Sequence, residues 1–371
     1  NLPKFSLHYF SEAVKYAPDW QMPQTNLERI SKFNEQSADT VESKRANPNE
    51  KFLLIKAWGF GFWSDVSHVL AQCLVAELTG RTPVVHWGLN SLFGNGTDAN
   101  AFDLYFEKLS NWNVDDLRKE DFDFWPPKWN HRNLTEGEIN KWSGSFSRVA
   151  GLYLLGRSER VVVSDFYTGI VELVPWIPKE HHLYGLSVDE LFQYLILRYL
   201  HPKQAIVNKV EAFYETHLAS FDFIAVHARG SDKVVEMNNS MNELDEVNKQ
   251  YQAKIDEYLV TYNCQKIFLM TDDERIFEYF TNLYGNKIIT TNCCRANSEQ
   301  GVHYQATADK YQLGVEVMVD VYIAARAKAF IGNGFSNPSL IVGYLMGRAE
   351  KDVYLFSKNM HHIPNIFLHN W

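Results

Sequence analysis

Short β-rich apolar runs alternate along the chain with longer stretches of helical period. Phe52-Leu53-Leu54-Ile55 predicts a strand, which runs into Trp58-Gly59-Phe60-Gly61-Phe62-Trp63. Val66, Val69, Leu70, Cys73 and Leu74 then recur at helical spacing after Ser64, a residue type suited to an N-cap. Gly80 predicts the end of that helix, and Thr82-Pro83-Val84-Val85 the next strand, which completes one βαβ unit. Residues 88–158, rich in Trp, Asn and Phe, read as insertions and irregular structure around the first sheet. Arg160-Val161-Val162-Val163 predicts a return to strand. A helix over 187–199, followed by His201-Pro202, marks a domain boundary. Beyond it, strands are predicted at 223–226, 266–270, 287–290, 329–331 and 353–356. The helices between them fall near 246–262, 273–284, 312–327 and 337–347. This alternation predicts an α/β chain with parallel sheets, organised as an N-terminal domain over 1–200 and a C-terminal domain over 201–371.

Composition narrows the picture. The chain has 371 residues, 46% of them hydrophobic and 22% charged, which is globular rather than disordered and long enough for two cores. A net charge of −9 argues against a nucleic-acid backbone as partner, because that role needs a basic footprint. It leaves room for a nucleotide, which needs only local cations. No run of 18 apolar residues spans a membrane, and no basic segment followed by an apolar one reads as a signal peptide. The expected location is the cytoplasm, peripheral to a membrane at most, or a secretory lumen if an anchor preceded Asn1. Cys73, Cys264, Cys293 and Cys294 show no zinc spacing and read as free thiols. The aromatic share is high, 14%, and either fills cores or lines a groove on which sugar rings stack.

Three predicted strand ends carry the candidate chemistry. After Phe223–Val226 come His227, Arg229, Gly230, Ser231, Asp232 and Lys233. Arg offers a planar fork of donors and Lys a point charge, a pairing that suits a diphosphate, although a solvated loop fits the same pattern. Phe268-Leu269-Met270 ends in Thr271-Asp272-Asp273, either a helix cap or carboxylates for a hard cation. The cap is the preferred reading. Phe330-Ile331 ends in Gly332-Asn333-Gly334-Phe335-Ser336-Asn337-Pro338-Ser339, a turn into a helix whose N-terminal N–H groups can cradle a phosphate. Together the three ends describe a nucleotide-diphosphate pocket.

At this point the residues resemble a family. His227-x-Arg229-x-x-Asp232-Lys233 after a strand is similar to the first motif of the α1,6-fucosyltransferases, the core N-glycan enzymes and their bacterial nodulation-factor relatives, allied to the peptide O-fucosyltransferases. Thr271-Asp272-Asp273 resembles their second motif. Asp320-Val321-Tyr322-Ile323 with Phe335-Ser336 resembles the third, and Gly59-Phe60-Gly61 their amino-terminal glycine turn. The resemblance implies a GT-B-like architecture, two Rossmann-like domains facing a cleft, with the acceptor side in the first and the donor in the second. It implies metal-independent, inverting transfer from GDP-fucose to a glycan or glycoconjugate, with no cofactor. His227 and Asp320 would contact base or ribose, and Arg229 and Ser336 the diphosphate, with Asn337 also in the donor site. Asp232 and Lys233 would order the donor loop, and Gly59 and Gly61 would face the donor from the first domain. Two departures stand out: Gly230 replaces a second basic residue, and Glu236 lies three rather than four positions beyond Lys233. Glu236 is the first candidate base and Asp65 the second. A GDP-mannose or other deoxysugar transferase, and a non-catalytic carbohydrate-binding scaffold, are the competing readings.

Overall fold

The computed structural model describes residues 49–97, 99–137, 152–165, 167–229, 241–296, 309–347 and 350–356. Two compact units divide between Pro202 and Lys203. Each is built on one parallel sheet, as the alternation predicts.

In the first unit the strands are β1 (Phe52–Lys56), β2 (Thr82–His86), β3 (Phe124–Trp125) and β4 (Val161–Ser164), in the order β2-β1-β4-β3. All pairings are parallel. β1 is buried throughout, so it reads as an unbroken apolar run rather than an alternating one. Helix α1 (Phe62–Thr79) crosses from β1 to β2 and closes on Gly80, whose φ of 62° is the left-handed conformation a C-terminal glycine supplies. Ser64 is not the N-cap. The helix starts two residues earlier, behind Gly61, because the fully buried Asp65 carboxylate already receives Gly59 N–H (2.9 Å to Oδ1) and turns the chain there. Helix α2 (Val188–Tyr199) packs on α1 and opens with a reciprocal cap between Ser187 and Glu190. Residues 88–137 are largely irregular, as expected, apart from β3 and single helical turns.

The second unit holds α3 (Gln204–His217), β5 (Phe223–His227), α4 (Met241–Thr261), β6 (Lys266–Met270) and α5 (Glu274–Tyr284). Then follow β7 (Ile288–Ile289), α6 (Lys310–Ala324), β8 (Ala329–Asn333), α7 (Asn337–Met346) and β9 (Val353–Phe356). The sheet order β7-β6-β5-β8-β9 is the 3-2-1-4-5 order of a Rossmann-like sheet. Chain direction across the sheet therefore reverses between β5 and β8, and such a switch point opens a crevice beyond the strand ends. The core beneath packs Ile224, Val226, Ile267, Leu269 and Ile331, all at most 1% exposed, against Tyr251, Ile255 and Phe280. Each such side chain contributes roughly 1.5–3 kcal/mol on burial.

β8 runs two residues past its predicted end. Gly332 reads as a turn residue in the sequence, yet it lies in the strand and pairs with Leu355 of β9. A Cβ there would stand 2.6 Å from both the Phe330 ring and Ser339 Oγ, so the glycine is required by space. Among the described residues no helix is long and apolar enough to cross a membrane.

Gly332→Ala should accordingly destabilise the protein by about 1–3 kcal/mol, the range for overpacking a dense core. Chemical denaturation compared with wild type measures it, and an unchanged midpoint would contradict this packing.

Candidate functional site

The three motif-bearing ends lie side by side because β5 pairs with β6 on one edge and with β8 on the other. His227 is the last residue of β5 and sits opposite Met270 of β6. Its ring is buried, and Nδ1 lies 2.7 Å from Ser339 Oγ, across the switch point. Ser339 Oγ also accepts the Asn333 N–H at 3.0 Å, so one hydroxyl joins the ends of β5 and β8. Burial, with Arg229 adding to it, depresses the His227 pKa to about 3, so the imidazole is neutral across the physiological range.

Two residues on, Arg229 stands beside Asp272 (Nε to Oδ2, 3.9 Å), which ties the first strand end to the second. Asp273 is the cap of α5, accepting Arg275 N–H at 2.9 Å while its carboxylate also holds the Arg275 guanidinium. The cap reading of this acidic pair therefore applies to Asp273, and Asp272 partners the arginine. Among the described residues no group of three or more His, Cys, Asp or Glu gathers in a way that could hold a metal ion.

The third end forms a tight turn. Phe335 N–H bonds Asn333 Oδ1 (2.8 Å), Ser336 N–H bonds Asn333 O (3.0 Å), and Gly334 N–H bonds Phe356 O (2.8 Å). Ser336 flanks α7 in extended conformation, with Asn337 as the first helical residue. The Ser336 side chain makes no capping bond; its Oγ has no hydrogen-bond partner although the residue is 1% exposed. An orphaned hydroxyl at a helix N-terminus is a donor held in reserve where anions are favoured.

Asp320 comes from the buried side of α6. Its Oδ1 accepts the Thr291 hydroxyl at 2.6 Å. Burial raises its pKa to about 7, opposed by the Thr291 bond and by Arg295 and assisted by Glu316. Cys293 Sγ, 3.7 Å from Thr271 O, links this region to the end of β6.

The second unit thus places His227 and Arg229 at the end of β5 and Ser336 and Asn337 after the neighbouring β8, with Asp320 linked to the end of β6 through Thr291 and Cys293. Gly59 and Gly61 belong to the first unit. Gly59, at φ 86°, needs its glycine; Gly61, at φ −59° with nothing within 4 Å of a built Cβ, does not. Asp65 is fully buried beneath that turn, with Oδ1 also 3.5 Å from Phe60 N–H. A carboxylate so engaged holds the turn and cannot meet an acceptor hydroxyl, which corrects its reading as a candidate base. Asp232, Lys233 and Glu236 lie outside the described residues. Ser339 and Thr291 were not singled out in the sequence; both are plain hydroxyl residues whose partners lie 112 and 29 positions away.

No protein-family model matches the chain, and no curated protein matches it. Solved structures do. A NodZ alpha-1,6-fucosyltransferase soaked with GDP-fucose is 18% identical, with a TM-score of 0.52 covering 80% of this chain and 93% of that one. Fucosyltransferase NodZ from Bradyrhizobium gives 18%, 0.53, 80% and 92%. An Arg-to-Lys mutant of Arabidopsis thaliana FUT1 in complex with GDP gives 14%, 0.53, 92% and 77%. At these identities the likeness is one of fold, and the fold is the GT-B-like α/β architecture expected from the sequence.

The raised pKa of Asp320 has a stability consequence. Between its unfolded value of 3.8 and its folded value of about 7, the folded protein holds a proton that the unfolded chain releases. Stability from this group is therefore full below the lower value and falls as pH rises through the upper one. Urea unfolding across that window should show Asp320→Asn gaining on wild type as pH rises; a pH-independent difference would contradict the assignment.

Proposed function

We propose that the protein is a glycosyltransferase that moves fucose from GDP-fucose to a hydroxyl of a glycan or glycoconjugate, by inverting transfer without a metal. What supports this reading is that Arg229 follows β5 and its buried His227, while the orphaned Ser336 hydroxyl and the N-terminus of α7 follow the neighbouring β8, at the switch point of one Rossmann-like sheet. A guanidinium and a helix N-terminus at the ends of neighbouring strands suit a diphosphate. The likeness in fold to a structure soaked with GDP-fucose and to another in complex with GDP supports the same nucleotide here.

In this reading the second unit, within 201–371, holds the donor, and the first, within 1–200, serves the acceptor. The acceptor oxygen attacks the anomeric carbon as the bond to the β-phosphate oxygen breaks and GDP leaves. Negative charge grows on the diphosphate, where Arg229, Lys233, Ser336 and the first N–H groups of α7 offset it. Fixed donors of that kind are worth roughly 3–4 kcal/mol each in the transition state. His227, neutral, and Asp320 serve the base and ribose. Asp232 orders the donor loop, and Glu236 takes the acceptor proton, a step worth about two to four powers of ten in rate. These last roles, with Lys233, rest on the motif resemblance. A donor such as GDP-mannose would use the same diphosphate contacts and differ only around the sugar.

GDP release from a panel of nucleotide sugars, with and without EDTA, tests the reading. Turnover of GDP-fucose that survives chelation is the expected result; loss of turnover on chelation would require a metal-assisted mechanism instead. Arg229→Ala should weaken GDP binding by about tenfold or more in calorimetry, since a hydrogen bond to a charged group contributes about 1.5–3 kcal/mol. Its unfolding midpoint should stay near wild type, and unchanged GDP affinity would remove Arg229 from the site.

A further inference from the structure

In the first sheet β1 and β4 are neighbours, and their carboxyl ends lie side by side. There the residues beyond the strand ends supply rings instead of cations. Phe60 is 45% exposed on the turn after β1. Its ring packs on Trp58 with centroids 5.2 Å apart, and Trp58 lies 5.9 Å from Tyr167, beyond the end of β4. Tyr167 in turn stacks on His68 of α1, at 6.2 Å and 29°. His68 is fully buried. Four rings therefore run in contact from the interior to the surface, ending on an open phenyl face.

That face is held rigidly. Gly59 takes the positive φ, and the buried Asp65 carboxylate receives Gly59 N–H at 2.9 Å. A ring fixed in this way loses little conformational freedom when a ligand covers it. Neither Ala57–Phe62 nor Ser164–Gly169 contains a Lys or Arg, and Lys56 at the end of β1 is engaged by the Leu134 and Glu136 carbonyls. Asp165 is already paired with Lys128. What suits a rigid, uncharged aromatic face is a flat ligand with an apolar, slightly positive C–H surface and hydroxyls around its edge. A pyranose ring has that form.

We propose that Phe60, backed by Trp58 and Tyr167, is a stacking platform for a neutral sugar ring of the acceptor. This rests on the glycosyltransferase reading and narrows it: the acceptor is a saccharide, bound at the carboxyl end of β1 with Phe60 as a specificity-determining residue.

The test uses the full chain on an array of neutral oligosaccharides, with GDP titrated separately. Wild type should retain at least one neutral glycan, and Phe60→Ala should weaken that retention about three- to tenfold, the value of one aromatic contact. Phe60→Trp should restore it, and all three forms should bind GDP equally. The platform is overturned if wild type retains no neutral glycan, or if Phe60→Ala retains it undiminished. Failure of wild type to bind GDP is a different result, and it counts against the donor reading alone.

Discussion

The buried bond between His227 and Ser339 closes the gap in which the second sheet reverses direction. β5 and β8 are neighbours there, but the chain leaves them toward opposite faces, so no backbone ladder continues past Val226 and Ile331. A side-chain bond of 2.7 Å spans the two ends, and the Asn333 N–H joins it at the same oxygen. His227, Asn333 and Ser339 are fixed relative to one another by that node. Arg229 leaves the strand two residues beyond it, and Ser336 and Asn337 begin the helix that carries Ser339. Gly332 is part of the same constraint, because only a residue without a side chain lets Ser339 and the Phe330 ring approach together.

The first unit meets a similar demand with different chemistry. Its turn after β1 is fixed by a carboxylate acting on backbone N–H groups, where the second unit uses a hydroxyl acting on an imidazole. Asp65 is three residues into α1, so its charge also faces the favourable end of the helix dipole. The consequence is two strand ends of opposite character, one presenting cationic and N–H donors and the other an aromatic face.

Much of this architecture was legible in the chain. Apolar runs such as Phe223–Val226 and Lys266–Met270 located their strands to within a residue, because fully buried parallel strands leave continuous rather than alternating patterns. Helix starts were less legible. Ser64 has the right chemistry for a cap, but a buried Asp one residue later captured the turn, and Asp309, not residue 312, opens α6. Gly332 misled in the opposite direction, since a glycine demanded by close approach looks the same in sequence as one demanded by a turn. For the site, charged residues at strand ends announced themselves. The hydroxyls that position them, Ser339 and Thr291, did not, since only the folded topology brings them to His227 and Asp320.

The ionisation of the site follows from the same burial. A histidine and an aspartate set at the edge of a positive strand end would ordinarily add a second cation and a full anion. Here desolvation acts on both in the direction of neutrality: it lowers His227 to about 3 and lifts Asp320 to about 7. The two effects oppose each other as pH falls, for His227 withdraws stability on acidification while Asp320 restores it. Near neutrality His227 carries no charge and Asp320 only part of one, so the charged groups at this end are chiefly the arginines, Arg229 beside Asp272 and Arg295 near Asp320. A site with hydrogen-bonding capacity on one side and charge on the other matches a nucleoside diphosphate, whose base and ribose are neutral and whose phosphates are not. A chain of net charge −9 can therefore attract such a ligand without a basic surface.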